Sequence, residues 1–171
     1  MMTDAPTFED VEVSVLPFLL ENNSRNPAFT YKEPIFRWAI SETIGGVDGQ
    51  PSIPYKTLES GTFPANTSFL DFPSVEIHVP ANTSFMMVNG TIGPDLGGLD
   101  ATLKTGPGGW NSTIVRSGPS RVNLSSPYVA PAMIWYTALD PALRYNLTLA
   151  PYNIRNSSIS LHSVTFYSGL W

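Results

Sequence analysis

The chain contains no cysteine. That absence removes disulfides, thiolate metal sites and cysteine nucleophiles together. It leaves the redox compartment open, because a cysteine-free chain suits either environment. Lysine is nearly missing too, with Lys32, Lys56 and Lys104 the complete set, and the net charge is −5. Nucleic acid and anionic membrane surfaces both call for a basic face, so neither is expected as a partner. No apolar run approaches the roughly 18–20 residues of a membrane-spanning helix. The longest candidate, VSVLPFLL from Val13, is short and holds Pro17. The segment MMTDAPTFED carries acids where a secretory leader has lysine or arginine. A secreted version of this chain is therefore expected to have shed its leader already. Helix-period apolar stripes longer than two turns are also lacking.

What remains is a folding chain built from strands. Hydrophobic residues make up 42% of it, aromatic residues 12% and charged residues only 13%, the reverse of a disordered composition. Its 171 residues suffice for one domain with a sizeable core, and no linker divides it. The sixteen prolines and thirteen glycines are spread along the whole length. Between them lie short alternating or β-branched segments. In SVEIHV, Val75, Ile77 and Val79 share one face, opposite Glu76 and His78. In SFMMVNGTI, Phe85, Met87 and Asn89 lie opposite Met86, Val88 and Gly90. In VEVSVLPF, Val11, Val13 and Val15 lie opposite Glu12, Ser14 and Leu16. AMIWYTAL, YNLTLAPY, SISLHSVTFY and LDATLKT read as further strands, and the remainder of 92–126 reads as long loops. Many short strands separated by turn chemistry imply an all-β fold, an antiparallel β-sandwich or jelly roll. The expectation is a single β-sandwich domain over residues 1–171, with 1–21 as an additional edge or connecting strand.

One hexapeptide, PANTSF, occurs twice, from Pro64 and from Pro80. It is too short for a solenoid unit, which has a period of about 20–50 residues. At its centre is Asn-Thr-Ser, an acceptor for N-linked sugar. Eight of the eleven asparagines head such a sequon: Asn22, Asn66, Asn82, Asn89, Asn111, Asn123, Asn146 and Asn156. With 33 serines and threonines in 171 residues, chance placement would give about two. The competing reading is a vocabulary of turns, since Asn and Ser both favour them. The excess points instead to a eukaryotic extracellular glycoprotein, secreted or held at the cell surface. Proline ends a strand, Asn tolerates turn geometry, and the glycan must face water. PANTSF thus reads as a glycosylated turn entering a strand. Proline 73 implies a hairpin or sharp bend between the two copies.

Catalytic patterns are weak. His78 and His162 are the only histidines, no Gly-x-Ser-x-Gly elbow is present, and TGPGGW lacks the Gly-Lys-Ser/Thr ending of a phosphate loop. Asp95, Asp100 and Asp140 could be paired for glycoside hydrolysis, or GPDLGGLD could offer oxygens to calcium. All three acids lie on turn-like segments, where solvated or structural roles are the ordinary ones. No catalytic residue, metal site or cofactor is expected. For binding, the best single residue is Trp110, beside a sequon and after Thr-Gly-Pro-Gly-Gly, where an indole can offer a flat apolar face and an N–H donor. It can equally fold back as a loop anchor. Trp38, Trp135 and Tyr136 lie in strand-like segments and are expected mostly in the core, while Trp171 can cap the sandwich or reach a neighbour.

Phe29-Thr30-Tyr31 with Trp38, VEIHVPANTSFMMVNGTIG, TALDPALRYNLTL and LHSVTFY together resemble galactose-binding-like jelly-roll ectodomains of fungal, basidiomycete-type surface proteins. The likeness spans about Ala28 to Tyr167. It departs at Val11 to Leu20, where that family has a polar, aspartate-bearing lead-in. The resemblance implies a fold and an extracellular address, and no activity. Two functions follow as expectations. One is a non-catalytic structural or adhesive module that meets other copies of itself, by strand addition, or the cell wall. The other is a lectin-like binder of extracellular carbohydrate.

Overall fold

The computed structural model describes residues 11–17, 28–32, 53–56, 74–94, 96–106, 113–115, 118–151 and 158–169. Eleven strands run in chain order: β1 Val11–Pro17, β2 Phe29–Lys32, β3 Ile53–Lys56, β4 Ser74–His78, β5 Thr83–Ile92, β6 Gly98–Thr105, β7 Thr113–Val115, β8 Arg121–Asn123, β9 Ala130–Ala138, β10 Tyr145–Pro151 and β11 Ser158–Gly169. They form two antiparallel sheets. The first has the order β1-β11-β5-β9, with β3 also paired to β11; the second has the order β2-β4-β10-β6-β7, with β8 also paired to β6. From β4 to β6, and again from β9 to β11, successive strands alternate between the sheets. This is the all-β antiparallel sandwich that the alternation implied, and no helix occurs among the described residues.

The inward faces follow the sequence pattern. Val75 and Ile77 on β4, with Val79 just beyond it, are buried, as are Met86 and Val88 on β5, Leu147 and Leu149 on β10, and Val164 and Phe166 on β11. Period-two alternation places these side chains between the layers and their neighbours outside. Leu124 is also fully buried and anchors the looser middle of the chain. Its N–H donates to the Gly97 carbonyl and its carbonyl accepts from Gly93, at 3.0 and 2.9 Å.

The turn into β5 shows why Pro-Ala-Asn-Thr is used there. Asn82 has φ of 64°, the left-handed region that Asn enters more readily than other side chains. The Thr83 hydroxyl donates to the Pro80 carbonyl at 2.8 Å and closes the turn. The first copy of PANTSF and the bend expected at Pro73 lie outside the described residues.

Two bulges flank the middle of β5. On β9 the register passes from Trp135 opposite Val88 to Met133 opposite Asn89, which leaves Ile134 as an extra residue. On β11 it passes from Leu161 opposite Gly90 to Ser163 opposite Asn89, which leaves His162 as an extra residue. Each bulge reverses the in-out alternation beyond it. Ile134 and Trp135 are consequently both buried, as are Leu161 and His162.

Candidate functional site

Past the β9 bulge, Tyr136 turns outward, contrary to its expected place in the core, whereas Trp135 is buried. Tyr136 joins an apolar outer face on the first sheet. The register aligns Val13, Tyr167, Phe85 and Ala138 in one row across β1, β11, β5 and β9. The next row is Val15, Thr165, Met87 and Tyr136, and a third includes Ser163, Asn89 and Met133. The Phe85 ring lies 6.2 Å from that of Tyr136 at 34°, and 5.7 Å from that of Tyr167 in an edge-on arrangement. Val13, Val15, Met133 and Tyr136 are exposed over 51, 58, 50 and 50% of their surface. This face is where the described residues gather exposed apolar side chains across neighbouring strands, which makes it the candidate contact surface.

Strand β1 forms one border of this face. It pairs with β11 over seven residues, from Val11 opposite Gly169 to Pro17 opposite Ser163. Leu16 packs against the core, while Val13 and Val15 point outward. The apolar character of β1 therefore serves the outer face as much as the interior.

The second sheet presents a different exterior. Asn146 accepts, through Oδ1, a hydrogen bond from His78 Nδ1 at 2.9 Å, and His78 Nε2 lies 3.2 Å from the Thr30 hydroxyl. Arg121 pairs with Asp100 at 3.0 Å. Glu76, Thr148, Thr102 and Lys104 complete a polar surface. Asp100, expected on a turn, instead lies within strand β6 and is taken up by this ion pair, while Asp140 accepts the Ala142 N–H at 3.0 Å in a turn. Asp95 lies outside the described residues. No group of three or more His, Asp or Glu side chains that could hold a metal occurs among the described residues.

The expected sugar acceptors fall in distinct settings. Asn82 is exposed at its turn. Asn123 is exposed at the end of β8, with its Oδ1 accepting the Ser125 N–H at 3.0 Å. Asn123 and Asn146 therefore bond through the amide oxygen, not the nitrogen to which a sugar attaches. Asn89 lies on the apolar face, and its Nδ2 donates to the hydroxyls of Ser163 and Thr165 at 3.2 and 3.4 Å. Asn22, Asn66, Asn111 and Asn156 lie outside the described residues, as do Trp38, Trp110 and Trp171.

His162, the bulged residue of β11, is buried, and its Nε2 lies 2.8 Å from the Thr91 hydroxyl. Burial disfavours its charged form and pushes its pKa below the ordinary histidine value of 6.5. The unfolded chain then takes up the proton first as pH falls, so this contribution to stability is complete above about 6.5 and lost on acidification. The slope from this one group is at most about 1.4 kcal/mol per pH unit. Urea denaturation at pH 7 and pH 5.5 is expected to show a larger loss for the natural chain than for His162→Gln. Equal losses would mean that His162 does not couple folding to pH.

Fold and site together define a two-layer β-sandwich with one polar and one apolar exterior. No protein-family model and no curated protein matches the chain. Among solved structures it is similar to the K2 cleaved adhesin domain of Lys-gingipain, at 10% identity and a TM-score of 0.44, over 90% of this chain and 99% of that one. It is also similar to a family 11 carbohydrate-binding module from Clostridium thermocellum, solved with a β-1,3-1,4-mixed-linked tetrasaccharide. That likeness has 7% identity and a TM-score of 0.40, over 99% of this chain and 95% of the module. No candidate helix for a membrane span occurs among the described residues.

Proposed function

We propose that this chain is a non-catalytic extracellular module of the fungal surface-glycoprotein kind, N-glycosylated and with a structural or adhesive role. The observation that carries the contact part of this reading is the apolar outer face of Val13, Val15, Phe85, Met87, Met133, Tyr136 and Tyr167. The sequon excess carries the glycoprotein part. On this reading, Asn123 and Asn146 hold sugar on the polar side and the opposite sheet meets a neighbour. The β1 edge borders the contact face, so a second copy can add there by strand pairing as well as by face packing.

Carbohydrate as the partner is a second reading, favoured by one feature. Three aromatic rings stand beside the hydroxyls of Thr165 and Ser163 and the amide of Asn89. Apolar planes with a few hydrogen-bonding groups suit a sugar ring, which has both kinds of surface.

Full-length protein secreted from a eukaryotic host tests both parts. Intact mass is expected to fall by several glycans on glycosidase treatment. Binding of the glycosidase-treated protein to immobilised, equally treated copies of the chain is expected to weaken about tenfold or more, about 1.4 kcal/mol, in Val15→Lys with Tyr136→Ala. A glycan array probed with the same pair separates the carbohydrate partner from the protein one. Sugar at two sites or fewer would remove the glycoprotein reading. Unchanged binding to every probe would remove the face as the contact surface.

A further inference from the structure

Resting on the glycoprotein reading above, we propose that an N-glycan on Asn89 lies back across the apolar face and controls whether that face is open. Asn89 is the only one of the described sequon asparagines placed on this face by the strand register; Asn82 is in a turn, and Asn123 and Asn146 belong to the second sheet. Its row adjoins the row of Thr165, Met87 and Tyr136, and Phe85 lies one same-face step further along β5. Alternate residues of a strand share a face about 6.8 Å apart, so Met87 and then Phe85 stand directly in line with the attachment point.

The direction of the amide supports the same path. Nδ2, the atom that would carry the sugar, points to the hydroxyls of Ser163 and Thr165, and Thr165 belongs to the middle row of the face. Attachment replaces one of the two amide protons, and the other keeps one of these two hydrogen bonds. The first sugar ring then leaves along the sheet with an apolar surface beneath it: Met87, then the Phe85 and Tyr167 rings, with Tyr136 alongside. Ring C–H groups facing these side chains remove apolar area from water on both partners.

The sequon also fixes the timing. The Thr91 hydroxyl, which the acceptor motif requires, is fully buried against His162 in the folded domain. Gly90 is buried as well. A transferring enzyme cannot reach an extended Asn89-Gly90-Thr91 once β5 is paired on both sides, so the sugar must be added before β5 joins β9 and β11. Occupancy at Asn89 is thus decided during folding and kept thereafter. Occupied molecules have a covered face and unoccupied molecules a contact-competent one.

The test uses the full chain secreted from a eukaryotic host, as the natural sequence and as Asn89→Gln and Asn123→Gln. Glycopeptide mass spectrometry reads each site, and a fluorescent dye that reports apolar surface reads the face. Expected results are sugar on Asn89, a several-fold rise in dye fluorescence for Asn89→Gln, and none for Asn123→Gln. Independently of any substitution, proton NMR of the natural protein should show contacts between the N-acetyl methyl of the Asn89 glycan and the Phe85 or Tyr136 ring. Self-association appearing only in Asn89→Gln would identify a second copy as the occupant of the uncovered face and support the control. Sugar on Asn82 and Asn123 with Asn89 bare would overturn this proposal and leave the glycoprotein reading intact. Sugar on none of the described sites would overturn that reading itself. An occupied Asn89 with no ring contacts and no change in dye binding would show that the glycan points away.

Discussion

Replacing Trp135 with alanine should cost about 3–5 kcal/mol, the usual range for deleting a buried large aromatic side chain. The indole is buried in the core, and its Nε1–H donates to the Pro119 carbonyl at 2.7 Å. That bond reaches between layers. Pro119 sits in the segment whose next residue, Ser120, accepts the Ala101 N–H of β6 at 2.9 Å. Trp135 therefore ties β9 of the first sheet to a loop held on the second. Gly118 makes the approach feasible. Its φ is 77°, and a Cβ there would lie 2.8 Å from the Tyr136 carbonyl oxygen and 3.2 Å from Cζ2 of Trp135. Domains of this kind are stable by about 5–15 kcal/mol in all, so the alanine variant should lose a large share of its stability.

Phenylalanine at the same position separates packing from the hydrogen bond. It retains most of the ring and leaves the Pro119 carbonyl without its donor. Pro119 is exposed, so water can replace that donor, and the loss should stay near 1–2 kcal/mol. Urea denaturation followed by circular dichroism on unglycosylated protein measures both variants without relying on tryptophan fluorescence. Similar losses for the two would show that the interlayer hydrogen bond, not the buried ring, carries the effect.

The strands that alternate cleanly were legible in the sequence. Val75, Ile77 and Val79 on one face, and the split of β5 into Met86 with Val88 against Phe85 with Met87, follow from side-chain period alone, whereas the packing decides that Met86 and Val88 are the inward pair. The Asn82 turn was legible as well, because Pro before it and an αL-tolerant side chain are local requirements. The candidate site was not. Its edge residue Tyr136 follows four apolar positions in AMIWYTAL, and a strand read in isolation gives no sign of where its alternation slips. The slip comes from pairing: Ile134 and His162 are extra only relative to β5. Strand β1 hid its orientation for a related reason. Val11, Val13 and Val15 look like a core face until the pairing with β11 turns Val13 and Val15 outward.

The same pairing leaves Gly90 no room for a side chain. A Cβ there would lie 2.5 Å from the Ser160 carbonyl oxygen and 2.8 Å from Cδ1 of Ile134. The second neighbour is the end of a flexible side chain and can rotate away. The first is backbone of β11, held by its own ladder, and it cannot withdraw unless the β5–β11 pairing opens. Gly90→Ala should therefore destabilise the unglycosylated domain by about 3 kcal/mol, the upper part of the overpacking range. Shortening Ile134 discriminates between the two obstacles. Ile134→Val alone should cost about 1 kcal/mol, and in the Gly90→Ala background it removes only the Cδ1 contact. If the backbone oxygen dominates, the double variant recovers little and the losses nearly add, with a coupling below about 0.5 kcal/mol. Full rescue by Ile134→Val would place the obstacle in the side chain instead. The substitution leaves Asn-Ala-Thr, still an acceptor for sugar, so secreted Gly90→Ala protein should keep the Asn89 glycan while losing stability. Loss of that glycan in a variant with unchanged stability would mean that Gly90 serves the transferring enzyme and not the packing of β5 between its bulged partners.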